Sequence, residues 1–457
     1  MSRGWMLVGA LLLVGSAAAV VAFAARDGGS TAASESTTIP QPTQAQLVAS
    51  GLARLPLAPE TERVDIAAPV FSDPTNVTNP LFPISELHSA VLSGTVEGKP
   101  FHTETTLLPD TRIIEWAPGQ VAETLVSQYV AYLGGRIEEV ALDYYAQADD
   151  GSVWYFGEEV FNYSEDGVIA DTEGTWLAGK DGPPAMIMPA DPQVGDVHRP
   201  ENVPGSVFEE VAVKAVDATV DGPTGPVRGA IVAEELHQDG STSDKTFAPG
   251  YGEFYSAHEG DVEAMALAVP TDVLDGAPPA ELGTLSAGAD DTFAAVQAGD
   301  WQAAAAEVEA ATAAWMALRE GQVPPRIATE LSRALESLTR AVNTRDRARA
   351  GTAAIDVAQS ALDLELRHRR PAEIDRARFE LWARQILVDA AAGDLPDVVG
   401  DVATLEWIRD RFARDVDRVG LTRIDKHLLE LRTAVNDEDL RELAVEAARL
   451  RSTLAKL

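Results

Sequence analysis

The chain has 457 residues, too many for one ordinary hydrophobic core, and 46% of them are hydrophobic, so two or three domains are expected. A formal net charge of −36 argues against attraction to nucleic acid or anionic lipid, because both are polyanions. The absence of cysteine excludes a disulfide framework, a thiolate nucleophile, thiolate-held metal and the lipidated cysteine of an envelope lipoprotein.

Residues 1–26 read as a signal peptide or an N-terminal membrane anchor. Trp5 to Ala25 carries no charge, is flanked by Arg3 and Arg26, and is long enough to cross a bilayer. Ala22-Phe23-Ala24 offers a small-x-small cleavage site. Either outcome sends the remainder outside the cytoplasm, and an uncleaved leader makes the membrane a partner. Residues 27–60, rich in Gly, Ser, Thr, Pro and Gln, are expected to form a disordered tether.

Between residues 61 and 270, short apolar or alternating runs broken by Gly, Pro and Asp predict an antiparallel β-domain. The acidity is concentrated there. Residues before 290 hold 12 Lys or Arg against 42 Asp or Glu, a net of −30, whereas 24 against 30 from residue 290 onward gives −6. A linker is expected at 271–289, followed by a helical bundle at 290–457. The expected fold is therefore α+β and multidomain.

The stretch ALDYYAQADDGSVWYFGEEVFNY, residues 141–163, allows two hairpin registers. A two-residue Asp-Gly turn places Asp143 opposite Glu158, and two opposed carboxylates would mark a general-acid dyad or a cation site. A type I turn on Asp149 and Asp150 with Gly151 left-handed instead pairs Ala146 with Trp154 and Tyr144 with Phe156, and leaves Asp143 on the other face. The second register is favoured because it avoids two unpaired buried charges. In either, Tyr145, Trp154, Tyr155 and Phe156 are candidates to line a ligand groove, although aromatic cross-strand pairs also serve simply as sheet stabilisers.

IMPADPQVGDVHRP, residues 187–200, offers Asp191, Asp196 and His198 as ligands for a divalent cation. The competing reading is a Pro-stiffened loop entering a strand at Val197, with Asp196 in a turn. The histidines form no HxxxH or HxH pair, which disfavours a locally encoded zinc site. No nucleophile elbow, P-loop or dinucleotide fingerprint is present, so no catalytic residue is assigned. The segments DYYAQADDGSVWYFGE, IMPADPQVGD and APGYGEF together resemble a β-domain of uncharacterised secreted bacterial proteins, over residues 79–268. That resemblance implies a sheet-dominated extracytoplasmic domain and carries no activity or site.

The helical part contains a repeat. AGD recurs at 298–300 and 392–394, and AVN at 341–343 and 434–436, with registers of 94 and 93 residues. Each tripeptide lies between amphipathic runs, predicting four helical hairpins in two pairs, packed as an antiparallel bundle or, alternatively, a short α-solenoid. Asn436 is expected to cap the last helix, with Asp439 at its third position. The overall expectation is a non-enzymatic envelope protein with a ligand-binding β-domain and a helical domain for protein contact. An acid-dependent hydrolase with dispersed carboxylates and a divalent-cation-binding protein are the alternatives.

Overall fold

A computed structural model describes residues 38–457; the leader and the first part of the tether lie outside the described residues. Among those described, no helix is long and apolar enough to cross a membrane.

The tether expectation fails from residue 38 onward. Thr38 bridges Ala67, Ile39 and Leu52 are buried, and a short helix α1 (Gln44–Ala49) is closed by a reciprocal capping box between Thr43 and Gln46. The sparse apolar residues of this polar stretch find a surface to dock on. Asp65 binds Arg63 through Nε at 2.9 Å and accepts the backbone N–H of Arg199, while Ala58 N–H donates to Glu210 at 2.8 Å.

The β-domain is one sheet of β1 (Ser89–Val96), β2 (Lys99–Ala117), β3 (Gln120–Leu133), β4 (Arg136–Gln147), β5 (Val153–Tyr163), β6 (Ile169–Asp171), β7 (Trp176–Leu177), β8 (Ala185–Met188), β9 (Val197–Val203), β10 (Val207–Gly222), β11 (Gly225–His237), β12 (Thr242–Ala248), β13 (Gly252–His258) and β14 (Asp261–Val269). Its order is β6-β5-β4-β3-β2-β1-β14-β13-β12-β11-β10-β9, with β7 and β8 also on β5. Two meanders thus join through the β1–β14 pair, every ladder antiparallel. The sheet curls until its arms meet, and Trp176 of β7 donates its indole N–H to Glu201 of β9.

The helical region begins earlier than expected. The predicted linker contains most of the first turns of α2 (Ala280–Ala298), because Leu282 and Leu285 bury one face behind Pro279 despite the nearby glycines. Then follow α3 (Trp301–Leu318), α4 (Pro325–Thr344), α5 (Arg347–Glu365), α6 (Pro371–Ala392), α7 (Leu395–Phe412), α8 (Arg418–Asn436) and α9 (Leu440–Leu454). The repeat is real in three dimensions. Gly299 and Gly393 end α2 and α6 in the left-handed region, and Asp300 and Asp394 cap α3 and α7. The AVN segments close α4 and α8, after which Asp346 and Asp439 cap α5 and α9. Asp439, rather than Asn436, is therefore the last cap: Asn436 still belongs to α8, and Asp439 accepts from Arg441 and Glu442 N–H. The hairpins form two four-helix units, α2–α5 and α6–α9, joined by α5 against α6.

These helices pack on the outside of the sheet. Val91, Leu267 and Val269 of β1 and β14 enter the same core as Leu282, Val357 and Ile374. Glu104 of β2 is 1% exposed and forms ion pairs with Arg378, whose Nε lies at 3.2 Å, and with the guanidinium of Arg411, which also donates to Gln128 at 2.6 Å. Asp363 and Asp375 complete this buried ionic cluster. Burial pushes the Glu104 carboxyl up, but the two arginines outweigh it and hold it well below the usual range.

Candidate functional site: an acidic chamber inside the sheet

The turn at Asp149-Asp150 has the favoured geometry. Ala148 N–H donates to Ser152 O at 2.9 Å, Gly151 is left-handed, and Ala146 opposes Trp154 and Tyr145 opposes Tyr155. Two residues further on, the expectation is overturned, because Asp143 opposes Glu158. The register shifts between these pairs, and Gly157, at φ 109°, supplies the extra residue as a β-bulge. A Cβ there would lie 2.2 Å from Trp176 O, so the bulge and β7 are built on one glycine. Tyr155 and Glu158 consequently share the concave face with Tyr145 and Asp143.

That face is lined with acids. Glu139, Asp143, Glu158, Glu201, Glu209, Glu235 and Glu263 come from six strands, and each is at most 8% exposed. Facing them are Lys245 and His237, with the His258 ring 6.2 Å from that of His237. Neutral donors reach some of the carboxyls: Tyr155 OH to Asp143 at 2.7 Å, Thr103 OH to Glu263 at 2.6 Å, and Trp176 N–H to Glu201 at 3.2 Å. Among the described residues, Glu139 Oε1 and Glu158 Oε1 accept no hydrogen bond, whereas Glu235 Oε2 is ion-paired with Lys245 Nζ at 3.4 Å. Uncompensated buried carboxylates are costly, so protons or cations must share this space.

The titration behaviour follows. Burial pushes Asp143 up to about 7 and Glu263 to about 7, with the nearby Glu253 adding to both. Burial and the mutual repulsion of Glu158, Glu201 and Asp143 raise Glu158 well above the carboxylate range, and burial with repulsion from Glu209 does the same for Glu201. Glu209 departs from the pattern: burial pushes it up, yet the His237 imidazole outweighs that and lowers it.

At one end of the chamber the ligand atoms of Glu209, Glu235 and His237 all lie within 4.8 Å of one another. The spacing has simple origins. Glu235 and His237 are two apart on β11 and point to one side, while Glu209 on β10 is the cross-strand partner of His237. His237 Nδ1 is 3.4 Å from Glu209 Oε1, and Nε2 is 2.6 Å from Ser243 Oγ. Burial pushes the His237 imidazole down, but Glu209 and Glu235 outweigh it and raise its pKa, so a cation held here displaces the proton that Nδ1 shares with Glu209. Lys245 Nζ sits 3.4 Å from Glu235 and 2.8 Å from Glu253.

The candidates drawn from sequence are distributed differently. Tyr145 and Tyr155 stack at 4.9 Å and 19° in the chamber wall, whereas Trp154 and Phe156, on the other side of β5, are buried core residues. All four are buried, so they form no open aromatic groove. Asp191, Asp196 and His198 do not converge. Asp196 accepts the Gln193 N–H as a turn residue, Asp191 is exposed, and His198 is buried at the start of β9 with its imidazole pushed down to about 4 by burial. Sequence reasoning passed over Glu139, Glu201, Glu209, Glu235, His237 and Glu263. The available signal was an acid or imidazole at alternate positions within otherwise apolar strands, as in Glu235 and His237. No family model and no curated protein matches the chain.

Proposed function

We propose that this is a non-enzymatic binding protein acting outside the cytoplasm, and that its β-domain holds a divalent cation between Glu209, Glu235 and His237. The observation that carries the reading is the convergence of two carboxylates and an imidazole within 4.8 Å, in a chamber whose carboxyls exceed its cationic side chains. Two oxygen donors and one nitrogen suit a first-row ion such as Mn²⁺ or Zn²⁺ better than Ca²⁺, which takes oxygen ligands. Ser243 orients the imidazole, and Lys245, displaced from Glu235 by the incoming charge, retains Glu253. The extracytoplasmic placement is supported by the apolar run Trp5 to Ala25. The helical units, whose outer surface exposes Leu429 at 68%, serve protein contact.

Calorimetric titration of the full chain with MnCl₂ and ZnCl₂ tests this, against NaCl of matched ionic strength. One ion per chain is expected, with affinity falling at least about tenfold in Glu235→Gln and in His237→Ala. Absence of binding, or equal binding by both variants, contradicts it. A second reading, acid-dependent hydrolysis, is favoured by Asp143 opposite Glu158, with Asp143 raised to about 7 and Glu158 raised well above the carboxylate range. It requires turnover of chromogenic glycosides or esters near pH 5 that Glu158→Gln abolishes.

A further inference from the structure

A cleft lies between the outer face of β2–β4 and helices α4–α7. Its volume is about 610 Å³, large enough for a small organic molecule. One wall is aromatic: Tyr132 of β3 and Trp382 of α6 stack at 5.2 Å and 21°. Leu381 and Ile355 extend it. Against this wall stand carboxyls from three helices, Glu330, Asp356 and Asp401. Asp356 is exposed to the cleft, and the desolvation there pushes its carboxyl up to about 6. Asp401 is 4% exposed, and its Oδ2 has no hydrogen-bond partner among the described residues; the same is true of the buried Tyr132 hydroxyl. Arg136, also in the lining, is already paired with Asp397.

We propose that this cleft binds a small organic cation, an amine or guanidinium on an apolar or aromatic body. The carboxyls supply the charge that the ligand neutralises, and the Trp382 ring, backed by the buried Tyr132, offers a face for its body and for cation–π contact. A bare metal ion finds converging donors only at one corner, where the ligand atoms of His102, Glu330 and Asp363 lie within 4.8 Å of one another, and the aromatic and aliphatic remainder of the cleft suits an organic body instead. Arg333 also lines the cleft, but Glu330, Asp356, Asp389 and Asp401 outnumber it, so an organic anion meets an excess of carboxyls.

Calorimetric titration of the full chain compares phenethylamine with 3-phenylpropionate, which has a similar body and the opposite charge. Phenethylamine is expected to bind at least about tenfold more tightly, and Asp356→Asn to weaken it by at least about tenfold. Trp382→Leu should weaken it as well, while Asp191→Asn, exposed and outside the cleft lining, leaves it unchanged. Asp401 is buried and its substitution risks the fold, so Asp356→Asn, checked by an unchanged circular dichroism spectrum, is the deciding variant. No phenethylamine binding, equal binding of the two probes, or undiminished binding by a folded Asp356→Asn protein overturns the proposal.

Discussion

A single glycine decides which acids meet. Without the bulge at Gly157, Glu158 would leave the face it shares with Asp143. Gly157→Ala must both adopt a left-handed φ and clear the Trp176 carbonyl, so a loss of about 1–3 kcal/mol from backbone strain alone is expected, with additional cost from displacing β7. A urea titration following the tyrosine and tryptophan signals measures it; an unchanged midpoint would show that the bulge is dispensable. The turn chemistry of Asp149-Asp150-Gly151 was legible in sequence because it is local. The bulge was not, because its reason is a contact with Trp176, which only the folded chain brings to β5. The metal-ligand candidates Asp191, Asp196 and His198 misled for the converse reason: closeness in sequence around two turns did not become convergence.

At the scale of elements, the helical hairpins were readable because their signals repeat: a left-handed stop followed by an aspartate cap recurs at Gly299-Asp300 and Gly393-Asp394. What the helices face was not readable. Glu104 looks like one more acid in an acidic strand, and Arg378 and Arg411 like charges on solvated helix faces. The structure instead buries all three together. Glu104→Gln removes the acid shared by two buried guanidinium groups, which Asp363 and Asp375 then compensate incompletely. A loss of about 3–5 kcal/mol is expected, as for other buried pairs broken from one side. Chemical denaturation of the full chain checks it, and a loss below about 1 kcal/mol would mean that the cluster is solvated.

At the scale of the molecule, the composition shift correctly separates a sheet from a set of helices, but the two share a core through Val91, Leu267 and Val269. Residues 280–457 expressed alone should therefore be helical by circular dichroism and melt below the full chain, since their sheet-facing side loses its cover; equal melting temperatures would show independent units. The chamber adds a pH dependence to the metal-free protein. Asp143, raised from 3.8 to about 7, and Glu263, raised from 4.5 to about 7, keep protons in the folded state that the unfolded chain releases. Stability from these groups is present at low pH and falls as pH rises between about 4 and 7, by up to about 1.4 kcal/mol per pH unit for each proton. Glu104 acts oppositely, losing its contribution as pH falls below 4.5 toward its depressed value. A melting temperature highest near pH 5 and declining by pH 8 is expected in chelator-treated protein; a steady rise across that range would show the chamber acids to be ionised and compensated.

Cation uptake by the chamber is tested most directly by anomalous diffraction from crystals grown with MnCl₂ after chelator treatment. One strong peak is expected inside the sheet, about 2.0–2.3 Å from a carboxylate oxygen of Glu209, a carboxylate oxygen of Glu235 and a ring nitrogen of His237. That peak should be lost in His237→Ala. Manganese found only on the outer surface, with the Glu209, Glu235 and His237 side chains still hydrogen-bonded to one another and to Lys245, would contradict it.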